Sequence, residues 1–156
     1  MELNEHNKKE FPPMHTAEHL LNQTMVRMYG CGRSKSSHIE RKKSKCDYFL
    51  KSEPTPEEIM KIEETVNFQI SRNLEVTETF ADKNNIPANV DLSKLPEGVS
   101  DTLRLISVGD YDICACLGSH VKNTYEIGTF KIISTDYIDG KLRIRYKLEN
   151  SLFIEE

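Results

Sequence analysis

With 156 residues, the chain has room for one compact domain with a sizeable core and not for two. Its 37% hydrophobic and 29% charged residues exclude wholesale disorder, and a net charge of −4 argues against a nucleic-acid partner unless the basic residues are concentrated. No apolar run approaches the roughly 20 residues of a membrane span. The polar start MELNEHNKKE is unlike a secretory signal, so Cys31, Cys46, Cys114 and Cys116 are expected to be reduced, in the cytoplasm.

Residues 1–12 read as a polar lead-in that Pro12-Pro13 ends, and residues 13–156 as the domain proper. From Met14 to Tyr29, Ala17, Leu20, Leu21, Thr24, Met25 and Met28 recur at three- and four-residue steps and Gly30 follows as a stop, which predicts a helix. Ser36–Ile39 and Cys46–Leu50 read as a short strand pair. Thr55, Pro56 and Glu58 form the signature of a helix start, and Ile59, Ile62, Val66 and Ile70 give that helix an apolar face, flanked by Met60 and Phe68, to about Asn73. Leu74–Phe80 alternates as a strand, and residues 82–100, with Pro87, Pro96 and Gly98, form a long connection. Leu103–Val108, Tyr111–Cys116, Ile127–Thr135 and Lys141–Glu149 read as strands, the last two joined by a turn at Asp139-Gly140. The expectation is an α+β single domain, a largely antiparallel sheet packed with two main helices.

Two patterns carry chemistry. His15 and His19 stand four residues apart near the start of the first helix, hence on one face; Cys116 and His120 stand four apart at a strand end, with Leu117-Gly118-Ser119 as a turn between them. Either pair alone is more often a surface or capping feature. Together they supply four imidazole and thiolate groups, the donor set of one tetrahedral zinc site. Cys31, Cys46 and Cys114 are expected as small buried residues, with Cys114 an alternative thiolate. The second pattern is charge. Arg33, Lys35, Arg41, Lys42, Lys43, Lys45 and Lys51 fall in one stretch against Glu40 and Asp47, and Lys141, Arg143, Arg145 and Lys147 alternate on one strand face. These are either phosphate-contacting patches or a solvated strand face and a charged loop.

The string Gly109-Asp110-Tyr111-Asp112-Ile113-Cys114-Ala115-Cys116-Leu117-Gly118-Ser119-His120-Val121 resembles the CGGTHV-type segment of the alanyl-tRNA synthetase editing domain, and Asn123 to Ile132 continue the likeness. HTAEHLL at residues 15–21 is similar to the family's first metal motif, and Ile62-Glu63-Glu64-Thr65-Val66-Asn67 to its IExxVN helix. The resemblance spans roughly residues 13–135, in the family's order, and the chain resembles a free-standing editing protein of the AlaX type, a relative of the alanyl- and threonyl-tRNA synthetase editing domains. It implies an editing-domain-like fold and hydrolysis in trans of a mischarged aminoacyl-tRNA, typically Ser-tRNA(Ala), with Ser-tRNA(Thr) as the sibling specificity. A second, hydrolytic site answers a physical problem, since a missing methylene is worth only about 1–3 kcal/mol in a synthetase pocket.

Matched to the motifs, His15, His19, Cys116 and His120 are the implied zinc ligands. Four protein ligands close a tetrahedral site, so catalysis there requires five-coordination or a ligand that disengages. Glu18 is placed either to contact the substrate or attacking water, or simply as a first-turn acid favoured by the helix dipole. Ser36 or Ser37 has the hydroxyl to read a serine side chain, or serves turn chemistry, and Ser119 stands where the family has threonine. Arg41, Lys42, Lys43, Lys45, Arg143 and Arg145 are the implied tRNA contacts. The chain departs from the pattern at Leu117, where glycine is usual, and at Ser34-Lys35-Ser36-Ser37, where only Ser37 matches a Gln-x-Gly-Ser stretch. Two other classes remain: a non-catalytic zinc- and tRNA-binding module, and a zinc peptidase, because HTAEH also satisfies H-x-x-E-H. The peptidase pattern leaves Cys116 and His120 unexplained.

Overall fold

Proline opens both long helices, as its missing N–H and fixed φ favour at a first helical position. In the computed structural model, which describes residues 11–34, 37–82, 84, 86, 90 and 102–153, helix α1 runs Pro12–Tyr29. Pro12 and Pro13 are thus its first turn rather than the end of the lead-in, since the N–H groups they lack would have no helical partner there. Gly30 closes α1 in the left-handed region, φ 65°, with its N–H on the Val26 carbonyl at 2.9 Å. Helix α2 runs Pro56–Ser71, and its capping box is complete: Glu58 N–H donates to Thr55 Oγ1 at 3.1 Å and Thr55 N–H to Glu58 Oε1 at 2.8 Å.

Among the described residues there are seven strands, in chain order β1 (Ser37–His38), β2 (Ser44–Phe49), β3 (Val76–Asp82), β4 (Thr102–Val108), β5 (Asp112–Ala115), β6 (Thr129–Ile138) and β7 (Lys141–Glu149). A 3-10 turn covers Thr124–Ile127. All pairings are antiparallel, but the strands divide into two sheets, β1-β2-β7-β6 and β3-β4-β5. Asp139 (φ 52°) and Gly140 (φ 81°) make the expected β6–β7 turn, both residues in the left-handed region such hairpins require. β3 starts at Val76 and not at Leu74 because Thr124 captures Leu74 first: Leu74 N–H donates to Thr124 Oγ1 and Thr124 N–H to the Leu74 carbonyl, both at 2.9 Å.

The core lies between α1 and the inner face of the four-stranded sheet. Met14, Ala17, Leu20, Leu21 and Met25 pack with Cys46, Tyr48, Leu142, Ile144 and Tyr146, and α2 adds Ile62, Val66 and Ile70. Each fully buried side chain of this kind contributes about 1.5–3 kcal/mol, so truncating a central one such as Leu20 would cost about 2–5 kcal/mol once its cavity is counted. Polar side chains share this burial on α1: His15, Thr16, Glu18, His19 and Asn22 are all enclosed. A helix that buries so many polar groups has been shaped for something besides packing.

The IExxVN residues have a structural task. β6 is an edge strand of its sheet, and α2 lies along that edge. Asn67 pairs with Phe130 as a neighbouring strand would, Nδ2 donating to the Phe130 carbonyl and Oδ1 accepting its N–H, both at 2.8 Å. One turn earlier, Glu63 Oε1 accepts the N–H of Ile132 at 2.7 Å. The two side chains satisfy the edge that would otherwise be open to foreign strands.

Candidate metal centre

α1 projects His15 and His19 toward β5 and the turn that follows it. Tyr146 pins the start of that helix, its hydroxyl donating to the Met14 carbonyl at 3.3 Å. From the other side β5 ends at Ala115, and the turn after it carries Cys116 and His120 to the same place. One ligand atom from each of His15, His19, Cys116 and His120 falls within 4.8 Å of all the others. Cys116 Sγ lies 3.4 Å from His15 Nε2 and 3.6 Å from His120 Nε2. A tetrahedral ion with ordinary zinc–nitrogen and zinc–sulfur bonds separates those donors by about 3.6 Å.

The opposite nitrogens explain why Nε2 faces inward. His15 Nδ1–H donates to the Ser119 carbonyl at 3.1 Å, and His120 Nδ1 meets Thr16 Oγ1 at 2.9 Å. Thr16 Oγ1 also accepts the Val121 N–H at 3.2 Å. Asp112 Oδ2 lies 3.4 Å from His19 Nδ1, an orienting contact rather than a well-formed hydrogen bond. Oxygen partners of this kind select the tautomer that leaves Nε2 as a ligand. His19 Nε2 is buried and has no hydrogen-bond partner among the described residues, which suits a metal-ligating atom.

The electrostatics agree. Burial opposes ionisation of the Cys116 thiol, but the neighbouring His120, His15 and His19 imidazoles outweigh it and bring its pKa down to about 2. Burial, with His19 and His15 nearby, presses His120 down to about 3 despite the pull of Cys116. A thiolate beside a neutral imidazole is the protonation state that a divalent cation takes. Burial also pushes the Asp112 carboxyl up, yet His19 and the Arg33 guanidinium hold it well below the usual carboxylate range. Arg33 meets it twice, at 2.6 and 3.1 Å, and Gln23 Nε2 donates to it at 2.8 Å. The four side chains fit a soft or borderline divalent metal.

The other expected residues are distributed unevenly. Glu18 is 1% exposed, with Oε1 3.6 Å from His15 Nε2 and its charge felt by Tyr48 and Tyr146. Ser37 Oγ sits 2.9 Å from Ser34 Oγ and 3.7 Å from Cys46 Sγ, so its hydroxyl is engaged under the β1–β2 hairpin. Ser36 lies outside the described residues. Ser119 reaches the centre through its carbonyl, while the residue as a whole is exposed. Cys114 is buried and outside the cluster, its Sγ 3.3 Å from the Ala115 carbonyl. Lys43, Lys45 and Arg145 gather with His38, Glu40 and Ser44 around a hollow of about 180 Å³. Lys42 is exposed, and Arg41 covers the Phe11 ring at 4.4 Å. Arg143 stands apart, bound through two hydrogen bonds to Asp47 at 2.8 and 2.9 Å. Arg145 has a carboxylate partner too, Asp136, at 2.7 Å.

Residues 103–145 match the family described as threonyl and alanyl tRNA synthetase second additional domain. The chain is 34% identical over 139 residues to the alanine–tRNA ligase of Ligilactobacillus salivarius, a match covering 88% of this chain and 16% of that protein. The chain is related to the editing domain of alanyl-tRNA synthetase. The Methanococcus maripaludis alanine–tRNA ligase is 30% identical over 148 residues, covering 92% of this chain and 17% of its own length; that of Legionella pneumophila is 32% identical over 130 residues, covering 83% and 15%. This editing-domain relative therefore spans about one sixth of the curated proteins it matches. The domain match runs through β4, β5, the Cys116–His120 turn and β6 into β7.

Thr16, Asp112 and Arg104 belong to the surroundings of the centre and were not singled out from the sequence, and Arg33, expected as part of the basic stretch, is instead buried against Asp112. The available signal was weak: Thr16 lies inside HTAEH and Asp112 two residues before Cys114 in the Gly109–Val121 string, but neither type nor spacing marks a residue that orients another.

Proposed function

We propose that this editing-domain relative hydrolyses in trans the ester of a mischarged aminoacyl-tRNA, Ser-tRNA(Ala), with zinc held by His15, His19, Cys116 and His120. In this reading residues 13–156 form the working domain and the protein acts in the cytoplasm. The observation that carries it is the convergence of the four ligand atoms within 4.8 Å, in a chain related to alanine–tRNA ligases. Zinc bound there supplies a lowered pKa for water, toward about 7, and polarisation of the ester carbonyl. The protein's share is arrangement. Thr16, the Ser119 carbonyl and Asp112 hold three imidazoles as Nε2 donors, and Cys116 supplies thiolate. Glu18, at the edge of His15, takes the proton from the attacking water or holds the substrate's amino group. Ser119, beside the His120 ligand, and the hydroxyls of Ser36 and Ser37 are the candidates for reading a serine side chain.

Lys42, Lys43, Lys45 and Arg145 contact RNA phosphates, helped by Arg41. Arg143 contributes less, because two hydrogen bonds tie it to the buried Asp47, whereas Asp136, the partner of Arg145, is exposed. A second reading, a non-catalytic zinc- and tRNA-binding module, is favoured by the count of four protein ligands, which is typical of closed structural sites.

Metal analysis with deacylation assays separates these. The purified protein should contain one zinc and release serine from Ser-tRNA(Ala), and His15→Ala and Cys116→Ala should lose both properties. Faster turnover of Ser-tRNA(Thr) would reassign the substrate. Zinc and tRNA binding without turnover would establish the module, and cleavage of a peptide panel alone would replace editing by proteolysis.

A further inference from the structure

We propose that Arg104 is a positioning residue for the metal centre, clamping the Cys116–His120 turn so that both of its ligands face α1. The inference rests on reading His15, His19, Cys116 and His120 as metal ligands. The turn lies beyond the end of β5, where the strand pairing to β4 stops at Leu105–Ala115. Its carbonyls are instead taken one by one. Arg104, on β4, donates from Nη1 to the Cys116 carbonyl at 2.9 Å and to the Gly118 carbonyl at 2.8 Å. Its main chain holds the same turn, the Arg104 carbonyl accepting the Cys116 N–H at 3.2 Å. The next carbonyl, Ser119, accepts His15 Nδ1–H.

One guanidinium thereby fixes the backbone on both sides of Leu117. That sets where Cys116 Sγ points, where His120 emerges, and where the Ser119 carbonyl meets His15. Arg104 is held in turn, its Nε donating to the Glu78 carboxylate on β3. A planar fork can grip two carbonyls and a carboxylate at once, whereas a lysine offers a point charge without that geometry. The Phe80–Arg104 pairing of β3 and β4 is made by main chain and survives loss of the side chain.

Cobalt(II) titration of the whole chain tests this without any tRNA, reading the thiolate charge-transfer and ligand-field bands. Arg104→Met should bind cobalt about 10- to 100-fold more weakly, the usual effect of losing an outer-shell partner, with altered bands. Arg104→Lys should recover part of the affinity, and Glu78→Gln should weaken binding in the same direction by less. Far-UV circular dichroism of the metal-free variants should match the parent. Parental affinity and bands in Arg104→Met would overturn the clamp. If that variant does not fold, parental behaviour in Glu78→Gln overturns it. A parent chain that takes up no cobalt overturns the metal-centre reading itself, and the clamp with it.

Discussion

Asp112→Asn probes the buried charge behind the metal centre. In the parent, Asp112 accepts two hydrogen bonds from Arg33 and one from Gln23 and lies 3.4 Å from His19 Nδ1, with essentially no solvent contact. The amide keeps the shape and removes the charge, so the buried Arg33 guanidinium loses the Asp112 carboxylate. Losing one member of a buried pair costs about 3–5 kcal/mol. At about 2–4 °C per kcal/mol for a chain of this size, the melting temperature of the metal-free protein should fall by about 6–20 °C. The pH dependence carries a sign. Asp112 has its pKa lowered by folding, so its contribution is fully present above the unfolded value of about 3.9 and is lost as pH falls below it. The gap between parent and variant should therefore be constant from pH 7 to pH 5 and narrow below pH 4. Thermal melts in chelator across that range measure it. A variant within 2 °C of the parent at pH 7, or a gap that widens in acid, would refute the account of Asp112.

Asn67→Ala removes both hydrogen bonds to the Phe130 backbone and should cost about 2 kcal/mol in urea unfolding, with more self-association from the uncovered β6 edge; sedimentation velocity reads the second effect. Cys116→Ser should abolish tight metal binding while the metal-free fold, seen by circular dichroism, is retained. Lys43→Ala with Lys45→Ala should lower tRNA affinity and flatten its salt dependence by about one unit of slope per phosphate contact, whereas Arg143→Ala should leave that slope near the parental value. Filter binding across a salt series distinguishes the two.

Local rules were enough for the helices. Three- and four-residue spacing marks α1, and Thr55-Pro56-Glu58 marks the start of α2, because helical hydrogen bonds and caps are made within a few residues. The candidate metal-binding cluster is legible for a related reason: His15/His19 and Cys116/His120 each sit four apart, and few residue types suit soft cations. What tertiary structure alone decided is how distant segments share their polar groups. No spacing announces that the antiparallel strands divide into two sheets, that Glu63 and Asn67 cover the β6 edge, or that Thr124 takes Leu74 from β3. The basic alternation on β7 was visible, yet its meaning depended on partners: the buried Asp47 holds Arg143, while Arg145 pairs with the exposed Asp136 and stands opposite Lys45. Imidazole and thiolate declare themselves by chemistry. Thr16, Asp112 and Arg104 act through where they stand, and position across the fold is written only in three dimensions.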